Sequence, residues 1–349
     1  METRGTVPAM NDVNRQLVLA RRPVGAVEDS DFELRETPVP EPGPGEFLVR
    51  VLWISFDPAQ RMWLNDVRSY IPPVGIGEVM RAGALGQVVT SNSAEFAVGD
   101  IVQGAFGWQD WVVSDGSGMW PVTKVPDGVP PTAMLGVLGS TGLTAYFGLL
   151  DVGQPQEDDT VLVSGAAGAT GSIAGQIARV MGCRVIGIAG GEEKCAWVRD
   201  VARFDEVIDY KAEDVSKRLS ALAPQGIDVY FDNVGGPILE AALNHLAMRA
   251  RIALCGGISA YEMDTTPPGP RNYLQLIVMR ARMEGFLVFD YVTRFGEAIA
   301  ELRRWVDAGE IRYAEDIQEG LENAPATLRR LFEGKNLGKQ ILKIADPPL

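Results

Sequence analysis

The segment TVLVSGAAGATGSIAGQIARVMGCRVIGIAGGEEK, at 160–194, constrains the fold more than any other part of this chain. It opens with a short apolar run, VLVS, which predicts a buried parallel strand that ends in a glycine-rich loop. A helix is expected next, because Ile173, Ile177 and Met181 fall four apart on one stripe. A second apolar run, VIGIA, completes a strand, loop, helix and strand unit of about 30 residues.

Three glycines, Gly165, Gly168 and Gly171, lie where the first strand passes into the helix. Glycines at such a junction let the chain turn sharply and let a pyrophosphate approach the backbone, while the amides and dipole of the helix start favour its charge. The pattern therefore predicts a dinucleotide-binding unit. The spacing is GxxGxxG rather than GxGxxG, so the alternative that these small residues only pack the helix against the sheet stays open.

The end of the second strand indicates which dinucleotide is bound. Proteins that prefer NAD usually place Asp or Glu there, about 20 residues past the glycines, to bind the adenosine ribose. Here the strand ends in Ala189, Gly190 and Gly191. Lys194, in the next predicted helix, is a cation that suits a ribose 2′-phosphate, which favours NADP(H). The alternative is that Glu192 binds the ribose and Lys194 is a solvated helix residue.

Length and composition bound the class of protein. With 349 residues, 46% of them hydrophobic, the chain can form two domains with separate cores. No apolar run reaches the roughly 18 residues of a membrane span. A net charge of −14 argues against nucleic acid as a partner. The segment 1–14 is polar and has no hydrophobic stretch, so we expect a disordered tail and no signal peptide.

Cysteine and histidine are too few and too scattered to hold a metal. Cys183, Cys195 and Cys255 are widely spaced and odd in number, which suits reduced thiols in a cytoplasmic protein. His245 is the only histidine, and no CxxC or HxxxH pair starts a zinc site, so no metal is expected. We expect His245 to pack on a helix and to take no part in catalysis.

The chain divides into three regions that differ in their sequence pattern. Short apolar runs broken by Pro and Gly clusters at 15–130 predict an irregular antiparallel barrel. Strands alternate with helices at 131–312, which predicts an α/β domain with a doubly wound parallel sheet of the Rossmann type. Its expected strands are VLVSG, RVIGIA, EVIDY, IDVYFDNVGG, ARIALCGGIS and RMEGFLVFD. Residues 313–349 return to a short helix and a strand, KQILKIA, which we expect to rejoin the barrel domain.

Motifs along the whole chain resemble one family. They are DPAQR (57–61), SYIPPVGIGEVM (69–80), GWQDWVV (107–113), GLTAYFGLL (142–150), the glycine loop, GGEEK (190–194), DNVGG (232–236), GGISAY (256–261), EGFLVFD (284–290), GLENAP (320–325) and GKNLGKQIL (334–342). From about residue 15 to 345 the chain resembles the zinc-independent medium-chain dehydrogenases/reductases. Within them it resembles the NADPH-dependent alkenal and enone double-bond reductases, which include prostaglandin, plant double-bond and curcumin-type reductases.

This resemblance implies a Rossmann domain and a barrel like that of the GroES chaperonin, split in sequence, with the active site in the cleft between them. It also implies NADP(H) as cofactor. The cofactor contacts that it implies at the glycine loop and before it are Thr144, Gly168, Ala169, Thr170 and Gly171. Those implied for the adenosine half and the middle of the cofactor are Lys194, Tyr210 and Asn233. Those implied for the nicotinamide half are Cys255, Ser259 and the backbone of Phe286, Leu287 and Val288, with Asn336 reaching over from the carboxyl-terminal segment.

Two tyrosines are the candidate catalytic residues. A nicotinamide can deliver hydride to a polarised carbon without a metal, provided that the enone oxygen is stabilised as negative charge develops on it. The resemblance places Tyr261 beside the nicotinamide ribose and the substrate carbonyl, where its phenol can donate a hydrogen bond, and Tyr70 in the pocket. The alternative is that Tyr261 only positions the ribose while water protonates the enolate.

One departure from the family pattern leaves substrate preference open. Where many members read GMPGLTAY, this chain has Ser140 and Thr141, two hydroxyl-bearing residues in place of an apolar residue and a proline. An aromatic substrate pocket is one interpretation of several large side chains, and packing in a core or loop is the other. The residues in question are Trp53, Trp63, Tyr70, Trp108 and Tyr291.

We therefore expect a cytoplasmic, homodimeric enzyme that uses NADPH to reduce the activated carbon–carbon double bond of α,β-unsaturated aldehydes or ketones. Its partners would be small molecules, with neither nucleic acid nor membrane among them. The nearest alternative is an NADPH-dependent quinone reductase. A protein that binds NADPH without turnover, as a sensor or structural protein, is an alternative from another class.

Overall fold

A computed structural model describes residues 13–118, 120–265 and 267–349 of the chain. Except for its last two residues, the predicted tail at 1–14 lies outside the described residues. Those two belong to the first strand, which begins at Val13. Asn14 is buried there, and its side chain exchanges two hydrogen bonds with the backbone of Trp111, at 3.0 and 2.9 Å.

The strands and α-helices of the described chain have the following bounds. The strands are β1 (Val13–Leu19), β2 (Phe32–Pro38), β3 (Phe47–Ser55), β4 (Ala84–Ser91), β5 (Ile101–Gly104), β6 (Trp111–Ser114), β7 (Thr123–Lys124), β8 (Thr160–Ser164), β9 (Arg184–Ala189), β10 (Glu206–Asp209), β11 (Ile227–Asp232), β12 (Leu246–Leu254), β13 (Arg282–Gly285), β14 (Glu315–Glu319) and β15 (Lys339–Lys343). The α-helices are α1 (Ala59–Met62), α2 (Ser140–Phe147), α3 (Ala169–Val180), α4 (Glu192–Asp200), α5 (Val215–Leu222), α6 (Gly236–Leu243), α7 (Gln275–Met279), α8 (Phe295–Asp307) and α9 (Ala324–Phe332).

The first of two compact units comprises the described chain up to Leu135, with Ile317–Glu333 and Gln340–Leu349. Its strands are antiparallel, as predicted for the barrel. β3, β4, β5 and β7 follow one another in the larger sheet, β6 also pairs with β3, and β1 pairs with β2. β15 pairs antiparallel with β3, which confirms that the carboxyl-terminal strand rejoins this sheet.

An aromatic cluster lies in the core of this unit. Trp108 is fully buried, with its ring centroid 4.9 Å from that of Phe32 and 5.3 Å from that of Phe56. Rings at this separation gain from tilted contact as well as from burial. Trp108 is therefore a core residue. Of the two interpretations given for it, a substrate pocket or packing in the core, the second is correct.

The second unit comprises Gly136–Asp316 and Gly334–Lys339. Its described strands form a parallel sheet in the order β10-β9-β8-β11-β12-β13, so every strand predicted from the sequence is present. The chain moves outward from β8 through β9 and β10 and then returns to β11 on the other side of β8. In an open sheet, such a reversal creates a crevice at the carboxyl ends of the strands, where ligands bind.

The helix after the glycine loop buries one stripe, but the stripe is shorter than predicted. Ile173 and Ile177 are 1% and 0% exposed. The prediction for Met181 was wrong, because α3 ends at Val180 and Met181 is 41% exposed. Within the residues that the structure describes, no helix is both long and apolar enough to cross a membrane.

Candidate dinucleotide-binding and active site

The glycine loop between β8 and α3 is shaped by close backbone contacts. Gly165 has a φ of +61°, in the left-handed region that favours glycine. The amide of Gly168 donates to the carbonyl of Gly165 at 2.9 Å. A Cβ at Gly171 would lie 2.4 Å from that same carbonyl oxygen, so only glycine fits there. These contacts make a tight turn that brings the start of α3 to the end of β8.

The first turn of α3 can bind an anion. Ser172 donates its amide to Gly168, but the amides of Ala169, Thr170 and Gly171 donate to no acceptor among the described residues. The first amides of a helix lack partners within the helix, and the helix dipole adds positive potential at the same place. A pyrophosphate supplies the oxygen atoms that these groups need. The glycine loop and the amides of Ala169, Thr170 and Gly171 together form a cradle that fits the pyrophosphate of a dinucleotide.

A second set of contacts lies at the end of β9, where an adenosine would be bound. The ring of Tyr210 covers Gly190, since a Cβ at Gly190 would lie 2.6 Å from a ring carbon. The Asp209 carboxylate accepts hydrogen bonds from the amides of Gly191 and Lys211, at 2.9 and 3.0 Å. Asp209 is thus held by the loop backbone.

Lys194 is half-buried near the start of α4, which begins at Glu192. Its Nζ lies 3.9 Å from the point where a side chain at Gly334 would begin. Glu192 and Glu193 are exposed in the first turn of the same helix. The basic group therefore lies beside the carboxyl-terminal segment, and the acidic groups face solvent.

The carboxyl-terminal segment Gly334–Lys339 attaches to the glycine loop within this unit. The amide of Gly338 donates to the carbonyl of Ala167 at 2.9 Å, and Gly168 forms a parallel bridge with Gly338. Asn336 is buried, and its Nδ2 donates to the carbonyl of Gly338 at 3.0 Å. The structure thus brings Asn336 to the glycine loop.

Asn233 follows β11 and is fixed by the last residue of β8. Its amide donates to the Oγ of Ser164 at 2.9 Å, and its Nδ2 donates to the carbonyl of Ser164 at 2.7 Å. Ser259 donates its hydroxyl to the carbonyl of Val234 at 2.7 Å. The residues after β11 and β12 are therefore joined at the same edge of the sheet.

Tyr261 and Cys255 follow β12. The Tyr261 hydroxyl accepts the amide N–H of Gly257 at 3.0 Å, which fixes the position of the phenol oxygen. A phenol that accepts such a hydrogen bond becomes a better donor through cooperativity. The pKa of the Cys255 thiol is raised to about 12 by burial and by the charge of Asp232, so this thiol stays protonated and is no nucleophile.

Phe286 and Leu287 follow β13, and Val288 begins a 3₁₀ helix that runs to Arg294. The chain leaves the sheet after Gly285, so the predicted strand RMEGFLVFD is only four residues long. The Phe286 ring packs on Gly148, where a Cβ would lie 2.1 Å from a ring carbon. Leu287 is 36% exposed, whereas Val288 is buried. The backbone of this segment is thereby held at the end of β13.

The two hydroxyl-bearing residues that depart from the family pattern lie in α2. Thr141 is buried, and its Oγ1 donates to the carbonyl of Gly136 at 2.9 Å. Ser140 is exposed, and its carbonyl accepts the Oγ1 hydrogen bond of Thr144 at 2.7 Å. The Thr141 hydroxyl therefore serves the local turn, and the side chain of Ser140 is the new polar group at the surface of this unit.

Tyr70 belongs to the first unit. Its hydroxyl accepts the indole N–H of Trp63 at 3.0 Å, and burial raises its pKa. Trp63 is buried against Trp120, with ring centroids 5.7 Å apart. In the second unit, Tyr291 stacks on Phe147 with ring centroids 4.5 Å apart. Trp63 and Tyr291 therefore have packing partners. Tyr70, in contrast, is 44% exposed.

Comparison with known proteins agrees with this geometry. A family described as the N-terminal domain of oxidoreductase matches residues 15–122, and one described as zinc-binding dehydrogenase matches residues 169–304. The NADPH-dependent curcumin reductase of Escherichia coli (strain K12) is 43% identical over 95% of this chain and 97% of its own. The 2-alkenal reductase (NADP(+)-dependent) of Nicotiana tabacum is 37% identical over 95% of this chain and 98% of its own.

Among solved structures, CurA from Vibrio vulnificus in complex with NADPH is 47% identical, with a TM-score of 0.90 over 95% of this chain and 100% of its own. This chain belongs to the zinc-independent medium-chain dehydrogenases/reductases, in the family of NADPH-dependent alkenal and enone reductases. The resemblance that the sequence motifs carry is thereby confirmed, and so is the α/β fold with a Rossmann sheet and a GroES-like barrel.

One family description mentions zinc, but the described residues of this reductase form no cluster of zinc ligands. Within the residues that the structure describes, no three His, Cys, Asp or Glu side chains cluster so as to hold a metal ion. Cys183 and Cys195 are buried, and burial raises the pKa of both thiols. The Nε2 of His245 shares a hydrogen bond with the Oγ of Ser216 at 2.9 Å.

Sequence reasoning missed two buried polar residues of this reductase, Ser164 and Asp232. Each is the last residue of a central strand, and each is 0% exposed. The available signal was a polar residue that ends an otherwise apolar strand, directly before a glycine loop or a turn. Such residues need hydrogen-bond partners when buried, so they mark where two strand ends are joined.

Proposed function

We propose that this protein transfers hydride from NADPH to the activated carbon–carbon double bond of α,β-unsaturated aldehydes or ketones. The observation that carries the proposal is the cradle at the glycine loop, where three helix amides and closely packed glycines fit a pyrophosphate. Full-length similarity to reductases named for NADPH and for 2-alkenals supports the cofactor and the substrate class.

The proposed contacts follow the strand ends of the second unit. Gly168, Ala169, Thr170 and Gly171 would bind the pyrophosphate. Lys194 and Tyr210 would bind the adenosine phosphate and its ribose. The remaining contacts would be Thr144, Asn233, Cys255, Ser259, the backbone of Phe286, Leu287 and Val288, and Asn336. When bound, NADPH supplies the hydride that the substrate accepts at its β-carbon.

Tyr261 is the proposed donor to the substrate oxygen. The Gly257 amide fixes its oxygen, and a phenol is a hydrogen-bond donor of the kind that stabilises a developing enolate. A neutral phenol suits this role, since stabilising the enolate requires a hydrogen bond and not a strong acid. Tyr70 is the second candidate, held by Trp63. Water would deliver the proton if neither does.

We further propose the barrel unit as the substrate domain and a homodimer in the cytoplasm. β13 is the outermost described strand at one end of the parallel sheet, which leaves an edge that a second copy can extend. Tyr273, Leu274, Ile277 and Val278, in the segment before it, are 55–71% exposed. Three free cysteines fit a reducing compartment.

The experiment is a screen of NADPH oxidation with enals, enones, aryl propenals and quinones, followed by identification of each product. The proposal predicts saturated aldehydes and ketones with the carbonyl group intact. Turnover with quinones alone would make the protein a quinone reductase instead. NADPH binding without oxidation in the presence of any of these substrates would indicate a sensor or structural protein.

A further inference from the structure

A buried serine and a buried aspartate join the segments that are proposed to contact the cofactor. Ser164 ends β8, directly before the glycine loop, and Asp232 ends β11. The Oγ of Ser164 donates to the Oδ1 of Asp232 at 2.8 Å and accepts the amide N–H of Asn233 at 2.9 Å. The Ser164 hydroxyl therefore connects the glycine-loop strand to the residue that follows β11.

Asp232 binds the backbone of two segments, one after β11 and one after β12. Its Oδ1 also accepts the amides of Val234 and Gly235, each at 3.0 Å. Its carbonyl accepts the amides of Cys255 and Gly256, at 2.9 and 3.1 Å. One buried residue thus holds both the turn after β11 and the start of the segment after β12.

All the hydrogen bonds of the Asp232 carboxylate are made by its Oδ1. Its Oδ2 is buried and makes no hydrogen bond within the described part of the chain. Burying a carboxylate with one oxygen unpaired is unfavourable, so this arrangement is a poor way to stabilise a core. Its evident effect is to fix the positions of the backbone amides around Oδ1.

We propose that Ser164 and Asp232 are positioning residues for NADPH, which they serve through Asn233. The Ser164 hydroxyl fixes the Asn233 amide, and the Ser164 carbonyl binds its Nδ2 at 2.7 Å. The Oδ1 of Asn233 is then an acceptor for a ribose hydroxyl near the middle of the cofactor, on the nicotinamide side of the pyrophosphate. This inference rests on the proposed function, in which Asn233 contacts NADPH.

Tyr230 provides a matched control. It is fully buried, and its hydroxyl also donates to the Oδ1 of Asp232, at 2.7 Å. No hydrogen bond joins that hydroxyl to Asn233. Ser164→Ala and Tyr230→Phe therefore each remove one buried hydroxyl donor from the same oxygen, but only Ser164→Ala also removes the acceptor of the Asn233 amide N–H.

The experiment measures the dissociation constants of NADPH and of 2′,5′-ADP by titration calorimetry for the wild type, S164A, Y230F and N233A. The fragment carries the adenosine phosphates but lacks the nicotinamide half. We expect S164A and N233A to weaken NADPH about tenfold and to leave 2′,5′-ADP unchanged. Y230F should bind both ligands like the wild type, although S164A and Y230F should lower the unfolding temperature of the free protein alike.

A double variant tests whether Ser164 acts through Asn233. The loss in S164A/N233A should equal that in N233A alone, because residues that act as a unit are not additive. Wild-type NADPH affinity in S164A, an equal loss of NADPH and 2′,5′-ADP, or the same loss in Y230F would overturn the positioning role. If the wild type binds no NADPH, the proposed function fails together with this inference. If N233A alone loses affinity, only the role of Ser164 fails.

Discussion

The Nζ of Lys194 lies 3.9 Å from the position at which a side chain on Gly334 would begin. Lys194 is near the start of α4, and Gly334 opens the carboxyl-terminal segment that attaches to the glycine loop. The cation proposed to bind the 2′-phosphate is therefore bordered by a residue without a side chain. Cofactor preference should depend on both positions.

Replacing Lys194 should separate the two nicotinamide cofactors. A hydrogen bond to a charged group contributes about 1.5–3 kcal/mol, so Lys194→Ala should weaken NADPH roughly 10- to 150-fold. NADH has no 2′-phosphate, and its affinity should stay almost unchanged. Dissociation constants for both cofactors check this. Equal losses would remove Lys194 from the phosphate site and would favour Glu192 as the ribose ligand.

A carboxylate at position 334 should weaken NADPH binding, as removal of the Lys194 charge does. Gly334 has a φ of +62°, a conformation that Asn and Asp tolerate better than other side chains do. Gly334→Asp places a negative charge beside Lys194 and should weaken NADPH about tenfold relative to Gly334→Asn. The two variants have the same shape, so any effect of the added side chain itself cancels. Identical NADPH affinities in the pair would show that this position does not face the phosphate.

Tyr261→Phe should lower turnover more than it lowers cofactor affinity. The ring can still pack, and only the hydroxyl that accepts the Gly257 amide is removed. Losing one oxyanion donor from a buried site costs roughly 100- to 1000-fold in turnover, and we expect about tenfold to a hundredfold here because Tyr261 is only partly buried. Steady-state kinetics and the NADPH dissociation constant measure the two effects separately. Full turnover with weaker NADPH binding would make Tyr261 a ribose-positioning residue.

His245 should make stability fall in mild acid. Burial lowers the pKa of His245 in the folded protein, whereas the unfolded chain titrates near its ordinary value of about 6.5. As the pH falls through that value, the unfolded state takes up a proton that the folded state resists, so stability is lost below it and is fully present above it. The unfolding temperature of the wild type should therefore drop more between pH 7.5 and about 6 than that of His245→Gln. Because His245 is the only histidine, parallel curves for the two proteins would contradict this account.

The elements of the second unit could be predicted because their sequence signals are local. RVIGIA is β9 residue for residue, and the glycine loop lies between a strand and a helix as its spacing requires. Met181 was misplaced because the apolar stripe continues past the point where the helix ends. Phe286 leaves the sheet although its sequence still resembles a strand, because its ring packs on Gly148. Local patterns do not encode such tertiary contacts.

The candidate site was predictable only in part for the same reason. The sequence predicted Asn233 at a strand end and Lys194 in the helix after β9, and the structure has Asn233 directly after β11 and Lys194 in α4. The hydrogen bond between Ser164 and Asp232 joins residues 68 positions apart, and no pattern in either segment predicts this contact. The use of the Thr141 hydroxyl for the Gly136 carbonyl was equally hidden, because it depends on the turn before α2.

The most direct test of the account follows hydride from NADPH deuterated at C4 of the nicotinamide into the product of an enone. The account predicts one saturated ketone per NADPH consumed, with deuterium at the former β-carbon and the carbonyl group unreduced. Mass spectrometry and NMR of the product locate the label. Deuterium on the carbonyl carbon of an unsaturated alcohol would contradict the central claim, since the protein would then reduce carbonyl groups and not activated double bonds.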